Sequence, residues 1–179
     1  MTTPRWTNTS DRYVTPGHGD AWANEAAARG RVGTQQLLAV ETVRPDRHIR
    51  VALDLGDNDQ VVVRRRLILE DGRPVERADS YYPAQLAAGT PLAESGKIRG
   101  GAIAVLAKLG HTPAASTDHI TADKPTEADY ELLQVDRQEP ILVLYRLSRD
   151  ANGTPVEYMI TRAVARLSAG YTYQTQASV

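Results

Sequence analysis

Arg64-Arg-Arg-Leu-Ile-Leu-Glu-Asp-Gly-Arg-Pro-Val-Glu-Arg-Ala-Asp-Ser-Tyr-Tyr-Pro83 is the stretch that decides the fold. Its two runs are rich in strand-forming residues and are separated by Asp71-Gly72, a pair typical of hairpin turns. Pro83 has no backbone N–H with which to continue the pairing. The stretch therefore predicts a strand, a tight turn and a second antiparallel strand.

The alternation of side chains along the first strand predicts two different faces. One face should carry Val62, Arg64, Arg66 and Ile68, and the other Val63, Arg65, Leu67 and Leu69. The second face is apolar apart from one arginine and is predicted to be core. The first places two guanidinium groups beside aliphatic side chains, which suits the wall of a polar cleft. The alternative is an exposed edge strand with solvated arginines.

A second hairpin with the same pattern lies near the C-terminus. Residues 139–149 predict a strand, Asp150-Ala-Asn-Gly153 a turn, and residues 154–162 the returning strand. Both hairpins continue as Gly-x-Pro-Val-Glu, at Gly72–Glu76 and at Gly153–Glu157. The sequence thus predicts two related hairpins.

The segment between the hairpins is predicted to be mostly helical. Residues 100–110 predict a helix that ends at Gly110, with Pro113 following. Residues 125–133 predict a second short helix with Thr126 as its N-cap. Residues 114–122 between them predict a strand, and residues 20–29 predict a short helix ahead of the domain.

Composition excludes several classes of protein. The 179 residues contain no cysteine, so disulfides, thiolate nucleophiles and cysteine-based metal sites are excluded. The four histidines are scattered without metal-ligand spacing, and no phosphate-binding or dinucleotide loop is present. The net charge is −1, so the chain lacks the excess of basic residues that favours binding to nucleic acid. No apolar run approaches the ~20 residues of a membrane span, and no signal-peptide core is seen, so a cytoplasmic location is expected.

The order of several short motifs resembles one family, the UTRA domain of GntR-type bacterial transcriptional regulators of the HutC branch. The resemblance spans residues 35–173. The motifs that carry it are Asp71-Gly-x-Pro74, Ala78-Asp-Ser-Tyr-Tyr-Pro83, Gly89-Thr-Pro-Leu92, Lys97-Ile-Arg-Gly-Gly101, Leu109-Gly110, Lys124-Pro-Thr-Glu127 and Gly153-x-Pro-Val-Glu157.

The resemblance implies an α+β fold, a mostly antiparallel sheet of about six strands with short helices, similar to chorismate lyase. It also implies binding of a small anionic or partly apolar metabolite, assembly as a homodimer, and a role in sensing an effector. No cofactor or metal is expected. Since chorismate lyase is an enzyme, a small biosynthetic lyase-like or cyclase-like activity in the same cleft is the alternative, although fold alone is a weak argument for function. No catalytic residue is assigned.

The expected domain organisation is an N-terminal linker with a short helical arm at 1–33, the UTRA-like domain at 34–174 and a tail at 175–179. Regulators of this family carry a winged helix-turn-helix ahead of the sensor, and residues 1–33 are too short for one. They also lack a cluster of Lys and Arg that could read a groove. The chain is therefore expected to be a sensor without its own DNA-binding domain.

The resemblance also identifies candidate ligand contacts. Arg66 matches the first arginine of an Arg-x-Arg pair in members that sense sugar phosphates, but the second falls on Ile68. Where those members have a glutamate on the first hairpin, this sequence has Ala78, and where they have a serine at the start of a helix, it has Gly101. Their glutamate after Gly-x-Pro-Val is present as Glu157. These differences favour a larger, flatter, partly apolar ligand with an acidic group.

The predicted site combines these positions with the strand alternation. Its ligand-binding residues are Arg64, Arg66, Ser80, Tyr82, Arg99, Gly100, Gly101 and Glu157. The two glycines ahead of a helix could cradle an anion, or could simply form a tight turn. Arg66 and Glu157 could instead form a structural ion pair. Arg77 and Asp79, on the opposite side of their strand, are expected in solvent or in a dimer contact.

The first prediction concerns DNA. With a net charge of −1 and no recognition helix, the isolated chain should show no sequence-dependent binding to duplex DNA at physiological salt. Fluorescence anisotropy with DNA from upstream of its own gene is the measurement. Sub-micromolar binding that depends on sequence would contradict it.

Overall fold

Six long strands form a single antiparallel sheet in the computed structural model, which describes residues 7–8, 21–168, 171 and 173–174. In chain order the elements are β1 (Thr7–Asn8), α1 (Ala21–Ala28), β2 (Gly33–Val43), α2 (Arg47–Ala52), β3 (Val61–Glu70), β4 (Arg73–Pro83), α3 (Ala84–Ala87), α4 (Gly101–Lys108), β5 (Pro113–Asp123), α5 (Glu127–Leu133), β6 (Ile141–Asp150), β7 (Pro155–Val164) and β8 (Tyr173–Gln174).

The strand order in the main sheet is β2-β3-β4-β7-β6-β5, and β1 pairs with β8 in a separate two-stranded ladder. Both predicted hairpins are present, β3–β4 and β6–β7. Asp71 and Gly72 adopt positive φ in the first turn, as does Gly153 in the second, which explains the turn residues. The predicted α+β fold with about six antiparallel strands is confirmed.

The chain contains an internal repeat that extends beyond the two hairpins. The order α1-β2-α2-β3-β4 recurs as α4-β5-α5-β6-β7, and the sheet order is symmetrical about the β4–β7 pair. Backbone conformation repeats too: Gly30 and Gly110 have positive φ before β2 and β5, and Asp54 and Gln134 have positive φ after α2 and α5. The two halves are thus related by an approximate two-fold axis through the centre of the sheet.

Each face of the sheet is covered by different helices. On the face that carries Val62 and Tyr82, buried residues of α3, α4 and their connection complete one core cluster. Trp22 of α1 packs on the same face beside Ile68 and Ala78. On the opposite face, α2 packs on β3 and β4, and α5 packs on β3, β6 and β7. We call the first face the cleft face and the second the α5 face.

The α5 face is held together at its centre by Asp129, which is fully buried. Thr126 caps α5 as predicted, and its backbone N–H and hydroxyl donate to Asp129 Oδ2 at 2.7 and 2.8 Å. Arg162 Nε on β7 donates to the same oxygen at 2.9 Å, and Arg77 Nε on β4 lies 2.8 Å from Oδ1. One carboxylate therefore joins α5 to the two strands at which the halves of the sheet meet.

Arg77 was expected in solvent or a dimer contact, and the expectation of solvent is wrong. Its side chain is mostly buried because the guanidinium is directed at Asp129. Asp79 is half-buried and lies 3.9 Å from Arg65. The sequence pattern placed both residues on the correct face but did not reveal that α5 covers it.

Asp129→Asn should destabilise the protein by about 3–5 kcal/mol, because it removes the buried charge that Arg77 and Arg162 share. Urea unfolding measures this, with Glu131→Gln, an exposed carboxylate on the same helix, as a control that should stay within about 0.5 kcal/mol.

The same carboxylate predicts a pH dependence. Burial acts to raise the pKa of Asp129, but hydrogen bonds from Thr126 and Arg162 and the charge of Arg77 outweigh it, so the pKa is lowered. A lowered folded pKa stabilises the folded state above the unfolded pKa of about 3.9, and that contribution is lost as pH falls through the folded value. Asp129→Asn should lose less stability than wild type between about pH 5 and pH 2. An equal loss in both proteins would contradict this assignment.

Candidate functional site

The centre of the cleft face has a floor of four buried or half-buried side chains. The β4–β7 register sets Ser80 opposite Met159 and Ala78 opposite Thr161. Arg66 on β3 is paired with Ala78, and Arg146 on β6 is paired with Met159. Two arginines therefore flank a narrow floor, one from each half of the sheet.

Arg66 is half-buried and faces this floor. Its Nη2 donates to Ser80 Oγ at 2.8 Å and lies 3.9 Å from Met159 Sδ. Its Nε is buried and has no hydrogen-bond partner, and no described carboxylate forms an ion pair with it. The structure thus brings Arg66 and Ser80 together as the sequence predicted, with part of the guanidinium unsatisfied.

Glu157 and Tyr82 form the second polar group on this face. The Tyr82 hydroxyl donates to Glu157 Oε1 at 2.6 Å. Burial, reinforced by the charge of Glu157, raises the pKa of Tyr82 well above its ordinary value, so the phenol stays protonated and keeps donating. Arg66 and Glu157, which could have formed a structural ion pair, are bound instead to Ser80 and Tyr82.

Arg64 is buried and serves a different purpose from Arg66. Its Nη1 donates to the carbonyl oxygens of Leu92 and Glu94 at 3.0 and 2.7 Å, and its Nη2 donates to that of Gly96 at 2.7 Å. Burial lowers the pKa of its guanidinium. Arg64 thus holds the segment between α3 and α4 in place by hydrogen bonds, along one side of the cleft. Strand alternation could not predict these contacts.

The turn before α4 borders the cleft without contacting the polar groups above. Gly100 and Gly101 have φ of 80° and 78°, and a Cβ on Gly100 would lie 3.0 Å from the Cβ of Ala104. These glycines are therefore required by the backbone. Arg99 is exposed and makes no hydrogen bond or ion pair with any residue that the structure describes. Ile98 and Ala102 pack against the cluster that contains Tyr82.

Arg146, the repeat equivalent of Arg66, is fully neutralised. Its Nε and Nη2 donate to Asp118 Oδ1 and Oδ2 at 2.7 and 2.6 Å, and both side chains are buried. Asp118 is the residue of β5 opposite Arg146, whereas the residue of β2 opposite Arg66 is Leu37. The two halves thus share the arginine but not its counter-ion.

Sequence reasoning did not identify Asp118, Arg146, Glu76 or Met159 as residues of this face. The repeated Gly-x-Pro-Val-Glu motif was the available signal, because it sets Glu76 and Glu157 at equivalent positions of β4 and β7. Extending that alignment to the preceding strands would also have paired Arg66 with Arg146.

Two further features concern the described part of the chain. It contains no group of three or more His, Asp or Glu side chains arranged to hold a metal ion. None of its helices is long and apolar enough to cross a membrane.

Comparison with known proteins agrees with the architecture. The UTRA domain family matches residues 28–166. An uncharacterized HTH-type transcriptional regulator of Streptomyces coelicolor is 29% identical over 153 residues, which is 83% of this chain and 57% of the relative. The chain therefore spans little more than half the length of this curated relative.

Solved structures show the same fold. The effector domain of PhnF from Mycobacterium smegmatis superposes with a TM-score of 0.72 at 22% identity, covering 82% of this chain and 89% of that one. A GntR-family transcriptional regulator from Enterococcus faecalis superposes with a TM-score of 0.70 at 23% identity, covering 79% of this chain and 100% of that one. Together with the match over residues 28–166, these likenesses confirm the resemblance, and the chain belongs to the UTRA domain family.

Proposed function

We propose that the chain binds a small-molecule effector on the cleft face and that binding controls a transcriptional regulator of the GntR family, in its HutC branch. The groups that contact the effector are Arg66, Ser80, Tyr82 and Glu157. Arg64 shapes the cleft through the segment that it holds. The turn at Arg99, Gly100 and Gly101 borders the site, where Arg99 can attract an anion at longer range.

One observation carries this proposal: no carboxylate of the described residues forms an ion pair with Arg66, whereas its repeat equivalent Arg146 has such a partner. Arg146 donates to both oxygens of Asp118, while Arg66 lies opposite Leu37 and its buried Nε has no hydrogen-bond partner among the described residues. A partly buried, unsatisfied guanidinium costs free energy in the absence of a ligand. Such a group is well suited to bind an anion, because the bond to the ligand removes that cost.

The neighbouring groups indicate the rest of the ligand. Glu157 keeps one carboxylate oxygen free of hydrogen bonds from described residues and can accept from a hydroxyl or N–H of the ligand. Met159 and the aliphatic residues around Tyr82 offer an apolar wall. The proposed effector is therefore a small, partly apolar metabolite with an acidic group.

Assembly and location are part of the proposal. Membership of the family supports a cytoplasmic homodimer that acts with a DNA-binding domain. Native mass spectrometry of freshly purified protein would report both the oligomeric state and any metabolite that remains bound.

Arg66→Ala should weaken binding of the effector about ten-fold to a hundred-fold, because a charge-assisted hydrogen bond contributes roughly 1.5–3 kcal/mol. The affinity of Arg66→Lys should lie between those of wild type and Arg66→Ala, since lysine keeps the charge but loses the planar fork. Calorimetry measures both, with metabolites selected from carboxylated aromatic compounds by thermal shift.

Arg65→Ala is the matched control, because Arg65 lies on the opposite face and pairs with Glu41. It should leave affinity unchanged. Arg64→Met should mainly lower the unfolding temperature, because it removes the donors to the segment between α3 and α4. A loss of affinity in Arg65→Ala but not in Arg66→Ala would overturn the site.

A second prediction separates sensing from catalysis. A sensor is stabilised by its ligand as RT ln(1 + [L]/Kd) and returns it unchanged. Each compound that raises the melting temperature should therefore be recovered intact after overnight incubation, as judged by mass spectrometry. Turnover that disappears in Glu157→Gln while binding persists would favour a lyase-like or cyclase-like enzyme.

A further inference from the structure

Glu76 is a carboxylate on the cleft face that the proposed function has not used. It occupies the position in β4 that Glu157 occupies in β7, since each follows the Pro-Val of its hairpin. The β3–β4 register pairs Arg66 with Ala78 and Ile68 with Glu76, so Arg66 and Glu76 lie diagonally on one face of neighbouring strands. Diagonal neighbours of this kind are about 7–8 Å apart.

The surroundings of Glu76 differ from those of Glu157 in one respect that matters. Glu157 accepts a hydrogen bond from Tyr82, but the repeat equivalent of Tyr82 is Ala163, which has no donor. Within the described residues, no side chain or backbone N–H donates to Glu76, and no ion pair includes it. Glu76 is nonetheless half-buried, so its carboxylate has lost part of its hydration, and none of the described residues replaces it.

The charged and titratable groups near Glu76 come from three elements and from one residue that follows β7. They are Arg66 of β3, Arg146 of β6, Glu25 of α1 and Tyr171 near the C-terminus. Burial raises the pKa of Glu76 to about 7, against the opposing effect of Arg66. Arg146 is already occupied by Asp118, and the pKa of Tyr171 is raised to about 12, first by burial and then by Glu76, so it stays neutral. Among the described residues, Arg66 and the already paired Arg146 partly offset a charge on Glu76, but burial outweighs both.

Arg66 and Glu76 lie on one face of neighbouring strands and form no ion pair with each other, so a short ligand could bridge their charged groups. Arg66 Nη2 is directed at Ser80, which follows Ala78 in β4 whereas Glu76 precedes it, so the guanidinium points away from Glu76. Its Nε has no hydrogen-bond partner among the described residues. A group that bonds to Arg66 must be an acceptor, and one that bonds to an ionised Glu76 must be a donor. A ligand with an anionic group at Arg66 and a cationic group at Glu76 makes the strongest pair of contacts, because both hydrogen bonds are then charge-assisted.

We propose that Glu76 binds a cationic amino group of the effector while Arg66 holds the effector's anionic group, so that the ligand class is a short zwitterion. This inference rests on the proposed function, because it takes Arg66 as the anion contact. It adds a recognition residue and narrows the ligand to aminated acids.

The test uses matched probes that differ only in the amino group. 4-Aminobutanoate and 6-aminohexanoate are compared with butanoate and hexanoate, and binding is followed by the chemical shifts of labelled protein at about pH 6 and pH 8. At least one aminated probe should bind more tightly than its partner at pH 8. Its affinity should rise about nine-fold between the two pH values, because a carboxyl with a pKa of about 7 goes from about one-tenth to about nine-tenths ionised. The simple acids should show no such rise.

Glu76→Gln should abolish both the preference for the amino group and its pH dependence. Glu70→Gln, a carboxylate on the same hairpin that pairs with Arg29, should retain both. Equal binding of the two members of every pair, no binding of either aminated probe, or a pH dependence that survives in Glu76→Gln would overturn the inference.

Arg66→Ala distinguishes this result from the proposed function. One outcome is that Arg66→Ala loses binding of the simple and the aminated acids alike, while wild type shows no preference for the amino group. In that case the anion site is supported and the proposed role of Glu76 is wrong. If the simple acids bind equally well without Arg66, the anion site itself is wrong, and the zwitterion proposal falls with it.

Discussion

The pairing of β4 with β7 is the constraint on which the rest of the structure depends, and Asp129 offsets a repulsion between two arginines within it. Arg77 and Arg162 stand directly opposite each other in this pair, and like charges at such positions repel. The buried carboxylate of Asp129 lies between them, with one oxygen for each guanidinium. Because the capping box of α5 fixes that carboxylate, a local helix signal sets the register at which the two halves of the sheet join.

That register determines what the other face can do. A shift of one residue between β4 and β7 would move every side chain of one strand to the opposite face. The observed register sets Tyr82 within hydrogen-bond distance of Glu157 and Ser80 opposite Met159. The cleft face and the ionic network of the α5 face are therefore two consequences of the same strand pairing.

Features governed by local chemistry could be predicted from the sequence, and those governed by distant contacts could not. The hairpins, the cap at Thr126 and the facing of Arg66 follow from turn residues and alternation. Strand β2 was not assigned, because its half-exposed edge position leaves no clear alternation of apolar residues. The carbonyl contacts of Arg64 and the ion pair of Arg146 with Asp118 join segments that are far apart in the chain, and periodicity carries no information about such partners.

The two halves of the sheet differ in how well their charged side chains are hydrogen-bonded, and we attribute this difference to function. A repeat that satisfied the arginine of both halves would be the more stable arrangement, and the pair of Arg146 with Asp118 meets that condition in one half. In the other half, no described carboxylate pairs with Arg66 and no described donor bonds to Glu76, although both side chains are removed in part from water. Local departures from good hydrogen bonding tend to persist where a ligand completes them. The two departures lie on adjacent strands of one face and have opposite charge, so a single small molecule could satisfy both.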